Sequence, residues 1–171
     1  MVLYRNVRQT AQSESVAVGF ESFADEARVR LRRALVARYG PEVGVEATAD
    51  AIAYAWQHWN RVSQMDNAMG YLYRVGQTTA RRHRRWGRAV SLPPERLQPD
   101  VADEQGSNGS DSALPSALAR LRPDERVAVV LVHGYAWSYQ EVADLLGVPA
   151  STVRNHVHRG VTRLRSNLEL T

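Results

Sequence analysis

The stretch SYQEVADLLGVPASTVRNHVHRGVTRLR, Ser138 to Arg165, is compatible with very few folds. Ser138 followed three residues later by Glu141 forms a capping box, in which each side chain satisfies a free backbone N–H at a helix start, worth about 0.5 to 2 kcal/mol. Val142, Ala143, Leu145 and Leu146 give the helix that follows an apolar face, Gly147 permits a turn, and Pro149 opens a second helix. In that second helix Val153, Val157, Val161, Leu164 and Leu168 fall on one stripe. Asn155, Arg159 and Thr162 lie opposite, flanked by Arg154 and His158, and no acid interrupts Ala150 to Arg165. Two helices around a short glycine turn, the second cationic on its outer face, form the arrangement that enters the DNA major groove. Arginine reads guanine in bidentate fashion and asparagine reads adenine, so Arg154, Asn155 and Arg159 are expected at base edges.

The rest of the chain divides at residues 91–112, SLPPERLQPDVADEQGSNGSDS, which hold prolines, glycines and no run able to form a buried face. This segment reads as an acidic linker, with Glu95, Asp100, Asp103, Glu104 and Asp111 against Arg96 alone. The whole chain of 171 residues has a net charge of +4, so its positive charge is concentrated outside the linker. All of its basic residues are arginine, whose planar fork suits phosphates and base edges, and a polyanion is the first partner to consider.

Three helices are expected before the linker, roughly 21–39, 45–59 and 67–86. Phe23, Ala27, Leu31 and Leu35 keep helical register in the first, which stops at Tyr39-Gly40-Pro41. Four more are expected after it, over 114–120, 123–133, 139–146 and from 150 to about 168. No alternating strand pattern appears. The fold class is therefore all-α, in two small helical domains: a three-helix module over 16–90 and a four-helix module over 113–171, with residues 1–15 as a flexible tail.

The third helix ends ARRHRRWGR, with Arg81, Arg82, Arg84, Arg85 and Arg88 and no acid among them. Such a run binds a phosphate backbone in a salt-dependent way. Tyr71, Tyr73 and Trp86 place aromatics beside it, and base stacking on an aromatic is worth about 1 to 3 kcal/mol; each of the two tyrosines is equally suited to the core. Trp56, in register with Ile52, is expected to pack inward, while Trp59 at the helix end is open to a partner. Glu46 and Asp50 make an acidic edge one turn apart. Cysteine is absent, and His58, His83, His133, His156 and His158 show no metal-ligand spacing with acids. No phosphate-cradling glycine loop, nucleophile elbow or paired carboxylate site occurs, so neither catalysis nor a cofactor is expected, and nothing suggests a small-molecule substrate. No stretch approaches a membrane span and the N-terminus lacks a signal-peptide core, which together favour a cytoplasmic protein without a membrane partner.

The segment from Val130 to Arg165 resembles the region-four helix-turn-helix of bacterial extracytoplasmic-function (ECF) sigma factors of the sigma-70 family. By position, that resemblance implies that Arg154, Asn155, His158 and Arg159 meet the minus-thirty-five promoter element, with Ser151 and Thr152 near phosphates. VEATADAIAYAWQHWNRV resembles the core-polymerase-binding helix of region two, which implies a contact through Glu46, Asp50, Ala53, Trp56 and Trp59; Ala49 stands where the family has glutamine. MGYLYRVGQTTARRHRRW resembles the helix that captures and melts the minus-ten element, implying roles for Tyr71, Tyr73, Arg74, Gln77, Arg81, Arg82, Arg84, Arg85 and Trp86. Gln77-Thr78 replaces the family's arginine-asparagine pair there, and Arg82 replaces an acid.

The resemblance implies core RNA polymerase (its β′ clamp helices and β flap) and promoter DNA as partners, an anti-sigma factor as a candidate partner, and a nucleoid-associated place of action. The acidic linker would thread through the polymerase and imitate nucleic acid in its basic channels. A stand-alone dimeric helix-turn-helix regulator is the rival reading, although it leaves the first module without a role. A sigma-like adapter that has lost melting activity is a second rival.

Overall fold

A computed structural model describes the backbone of residues 3–90 and 113–169, with side chains over 19–85 and 113–168. Every regular element among these residues is helical: α1 (Leu3–Tyr39), α2 (Pro41–Gln57), α3 (Trp59–Val62), α4 (Ala68–Val90), α5 (Ala113–Ala119), α6 (Pro123–Val129), α7 (Tyr139–Leu146) and α8 (Ala150–Glu169). A π-helical turn, Val130–Gly134, extends α6. The all-α class read from the sequence is thus the fold observed. The acidic linker, 91–112, lies outside the described residues.

Several boundaries differ from expectation for local reasons. Residues 3–15, expected to form a flexible tail, belong to α1, which has neither glycine nor proline to stop it before Gly19. The next helix starts at Pro41, not Val45, because proline fits the first turn, where its missing N–H costs nothing. A break at His58 turns the chain, so Trp59 begins the separate short α3. The helix expected to run unbroken to His133 widens after Val129, and the Trp137 amide donates to the Leu131 carbonyl at 3.0 Å. Ala136, between the exposed Tyr135 and the buried Trp137, is held at φ +55°, in the left-handed region that costs a non-glycine residue energy.

In the first module α1 and α4 pack against α2 around Leu31, Leu35, Ala47, Ala51, Leu72 and Ala80, all fully buried. Small residues let the helices approach closely. A Cβ at Gly44 would lie 2.6 Å from backbone atoms of Val36, so only glycine fits that crossing of α1 and α2. In the second module α8 crosses α6 and α7 over Val127, Leu131, Val142, Val153 and Val157.

The two modules expected from the sequence are both present, and they are packed together, with one set of buried side chains running through both. Arg126 on α6 donates from Nε to the Ala37 carbonyl at 2.6 Å and from Nη2 to the Arg38 carbonyl at 2.5 Å, capping the end of α1. A cation there also answers the negative end of the helix dipole. Arg38 pairs with Asp124. Asn67 accepts from the Gly70 amide at 2.7 Å to cap α4, while its Nδ2 donates to the Asp144 carbonyl near the end of α7 at 2.7 Å. Arg30 pairs with Glu141 at 3.2 Å and lies 4.4 Å over the Trp137 ring, and Arg33 lies 4.5 Å over Tyr135. Links of these kinds are worth about 0.3 to 2 kcal/mol each and add to the apolar burial that the two modules share.

The crossing at Gly44 makes the first prediction. Gly44→Ala pushes the new methyl into the Val36 backbone and lowers stability by about 1 to 3 kcal/mol, despite alanine's better helix propensity, as urea denaturation will show.

Candidate nucleic-acid interface

The capping box at Ser138 is closed in both directions: the Glu141 amide donates to Ser138 Oγ at 3.1 Å, and the Ser138 amide donates to Glu141 Oε2 at 2.8 Å. α7 ends at Gly147, whose φ of +68° is the left-handed conformation that glycine adopts without a Cβ clash. Its amide returns to the Ala143 carbonyl at 2.8 Å. Pro149 then starts α8, accepting from the Thr152 amide at 2.9 Å.

The inner face of α8 is Val153, Val157 and Gly160, all buried, with Val161 and Leu164 half-buried. Leu168, expected on the same stripe, is exposed. Behind the helix, Glu125 is buried and pairs with Arg163 at 2.5 Å, which fixes the roll of α8 against α6. Arg154, Asn155, His158, Arg159 and Thr162 consequently face outward and are exposed, as the sequence predicts. Arg154 rests over the Tyr139 ring at 5.7 Å. Asn155 and Arg159, one turn apart, meet no carboxylate among the described residues. Ser151 is exposed and Thr152 half-buried at the start of the helix.

α4 carries the second cationic face. Arg81, Arg84 and Arg85 share one side by helical spacing and are exposed, as are Arg74 and Arg82. Arg82 approaches Asp50 at 3.8 Å. Tyr71 is half-buried, its hydroxyl 2.8 Å from that of Tyr54, and Gln77 is half-buried as well. Tyr73 corrects the expected stacking surface: only 1% of it is exposed, and burial pushes its phenol above the ordinary range. It lies on the side of α4 that holds Leu72, Gly76 and Ala80, where the helix meets α1 and α2, and has no ring face to offer a base. The Trp86 side chain lies outside the described residues.

On α2, Glu46, Ala53 and Trp56 are exposed and Asp50 is half-buried. The expected orientations of the two tryptophans are reversed: Trp56 is 53% exposed, while Trp59 is half-buried against Phe20 and Phe23, with ring centroids 5.3 and 5.1 Å away. The break at His58 is the cause, since it returns Trp59 to α1 and leaves Trp56 at the open end of α2, edge-on to Phe20. His83, in which the sequence showed only an isolated imidazole, bridges the acidic edge, with Nε2 2.8 Å from Asp50 and Nδ1 3.3 Å from Glu46. Among the described residues no group of His, Asp and Glu is arranged to hold a metal ion, and no helix is long and apolar enough to cross a membrane.

Residues 111–164 match the family described as Sigma-70, region 4. The RNA polymerase sigma-E factor of Streptomyces antibioticus is 34% identical over 121 residues, which is 70% of this chain and 67% of that protein. That of Streptomyces coelicolor is 33% identical over 119 residues, covering 69% of this chain and 67% of that one. This chain belongs to the ECF RNA polymerase sigma factors. Its role is promoter-directed transcription, and its partners are core RNA polymerase and promoter DNA. The fold is shared with the sigma factor RpoE of Bartonella quintana, solved in complex with the anti-sigma factor NepR, at a TM-score of 0.59 and 20% identity over 88% of this chain and 97% of that one.

Within this sigma factor the Ser138–Glu141 box fixes the angle at which α7 enters. The Ser138 amide, then the Ser138 hydroxyl, then Arg30 hold the Glu141 carboxyl below the usual carboxylate range. A folded-state value below the unfolded one means that this stabilisation is present above about pH 4.5 and is lost as pH falls through the folded value. Ser138→Ala therefore lowers stability by about 1 kcal/mol near neutrality. Glu141→Gln also destabilises there, and thermal melts from pH 7 to 3 will show its deficit relative to wild type shrinking with acid.

Proposed function

We propose that α8 reads the upstream, minus-thirty-five element through Arg154, Asn155, His158 and Arg159, with Ser151 and Thr152 on adjacent phosphates. α4 takes the downstream, minus-ten element: Arg74, Arg81, Arg82, Arg84 and Arg85 follow the backbone, while Tyr71, Gln77 and Trp86 meet separated bases. Glu46, Asp50, Ala53 and Trp56 on α2 form the face for the β′ clamp helices, and the second module meets the β flap. Trp59 supports that face from behind. The observation that carries this reading is the outward set of Asn155 and Arg159, beside Arg154, on a helix whose rear is locked by Glu125 and Arg163.

The chain acts by positioning polymerase, without catalysis of its own, in the cytoplasm on the nucleoid. An anti-sigma factor is a further partner, a reading supported by the likeness to the Bartonella quintana sigma factor solved with NepR.

In vitro transcription with purified core enzyme on a genomic fragment library, followed by permanganate footprinting, tests the division of labour. Thymines in the minus-ten region become reactive if α4 holds an opened strand; their silence in a bound complex would favour an adapter that cannot melt DNA. Arg159→Ala weakens promoter binding by about 1 to 3 kcal/mol and relaxes one base preference, whereas Arg85→Ala weakens all sequences alike and lowers the salt slope. Equal, sequence-independent losses from both would remove direct readout at Arg159.

A further inference from the structure

On the acidic edge of α2, Glu46 and Asp50 stand one turn apart, where like charges repel and two flexible carboxylates would turn away from each other. His83 of α4 draws them together. Its Nδ1 lies 3.3 Å from Glu46 Oε2 and its Nε2 2.8 Å from Asp50 Oδ2, so one ring spans both acids. The ring is carried by a helix that packs along α2, which fixes its place. Arg82 approaches the same Asp50 oxygen at 3.8 Å, beyond hydrogen-bond distance, and is itself exposed. Only one oxygen of each carboxylate is engaged. Asp50 Oδ1 and Glu46 Oε1 meet no donor among the described residues, and their side chains are 37% and 61% exposed.

The bridge depends on the charge of the ring. A neutral imidazole carries a proton on one nitrogen and presents a lone pair at the other, whereas the imidazolium has N–H on both. Both contacts are therefore favourable only in the charged form. The charged groups around the ring are Glu46 and Asp50 from α2 and Arg82 from α4; among the described residues no ion pair reaches it from α1, and Glu42, a turn before Glu46, makes none with it. Loss of the proton leaves the edge more negative, but between exposed groups that gain is screened beyond about 8 Å at physiological salt. Contact with a partner's cations turns instead on where the two free oxygens stand, because side chains ordered beforehand need not be ordered on binding.

We propose that His83 is a positioning residue for core RNA polymerase: by bridging Glu46 and Asp50 it holds their free oxygens at a fixed spacing for a pair of cationic side chains on the polymerase. The proposal rests on the reading of α2 as the polymerase-binding face. It also joins that face to α4, since the ring that sets the acids belongs to the arginine-rich helix.

Equilibrium binding of the full chain to core enzyme, without DNA, tests this from about pH 6 to about pH 8.5, a range that spans the usual change in histidine charge. The wild type is expected to bind about two- to fivefold tighter at the acid end. His83→Ala should weaken binding about three- to tenfold at the acid end and flatten the dependence on pH. His83→Arg, charged throughout and with a fork that can reach two acids, should keep the acid-end affinity at both extremes. Titration of the polymerase itself is common to all three chains and cancels in the comparison, and urea denaturation at each pH verifies that the variants are folded.

Wild-type affinity in His83→Ala overturns the proposal, as does a pH dependence that survives in both variants. Equal losses in His83→Arg and His83→Ala also overturn it, since a ring needed only for packing would give that result. A chain carrying both Glu46→Gln and Asp50→Asn separates the two levels. It should bind core enzyme weakly, with His83→Ala adding no further loss. Undiminished binding there would remove α2 as the polymerase face and this proposal with it, whereas weak binding there with no effect of His83→Ala alone would remove only the role of His83.

Discussion

The last carbonyls of α1 end at an arginine from the other module, and the arrangement of the molecule depends on that contact. A helix end leaves four C=O groups without intrahelical partners and carries a partial negative charge. Arg126 satisfies two of those carbonyls with a cation. At the far side of the seam Asn67 serves two helix ends at once, capping the start of α4 and meeting a carbonyl in the last turn of α7. Termini that each module alone would leave to water are satisfied by the other, and this fixes their orientation. A joint made from helix ends is directional, and the shared buried side chains add to it.

The positive charge is segregated by the same packing. The two arginine-rich helices bury glycine, alanine and valine where they cross their neighbours: Gly76 and Ala80 on α4, Val153, Val157 and Gly160 on α8. Close crossings leave no room for long side chains on the inner faces, and the arginines take the outer ones. Arg163 is the exception that holds α8 in place, since its partner Glu125 is a buried carboxylate that would be costly to leave unpaired. In the proposed role α8 must not roll, because a rotation of one residue position would replace Asn155 and Arg159 with a different pair.

The helix-turn-helix was almost fully legible in the sequence because its signals are local: a serine and a glutamate three apart, a glycine in the left-handed turn, a proline at the next helix start. The all-α class followed from periodicity in the same way. What escaped depends on distant partners. Tyr73 was open to either core or solvent until α1 and α2 were seen to cover it, and Trp56 and Trp59 exchanged environments because of a one-residue break at His58. The pairing of His83 with Glu46 and Asp50 spans more than thirty residues and leaves no local mark. The seam leaves less still: Arg30 and Glu141 are separated by 111 positions, and the only sequence trace of Asn67 is that asparagine is a good N-cap.

A double-mutant cycle between Arg30 and Glu141 reaches the central claim most directly, because the two side chains belong to different modules and have no reason to communicate if those modules stand apart. With unfolding free energies measured for the wild type, Arg30→Ala, Glu141→Ala and the double variant, the account predicts a coupling of about 0.5 to 1 kcal/mol that falls as salt is added. Strict additivity of the two single losses at low salt would contradict it.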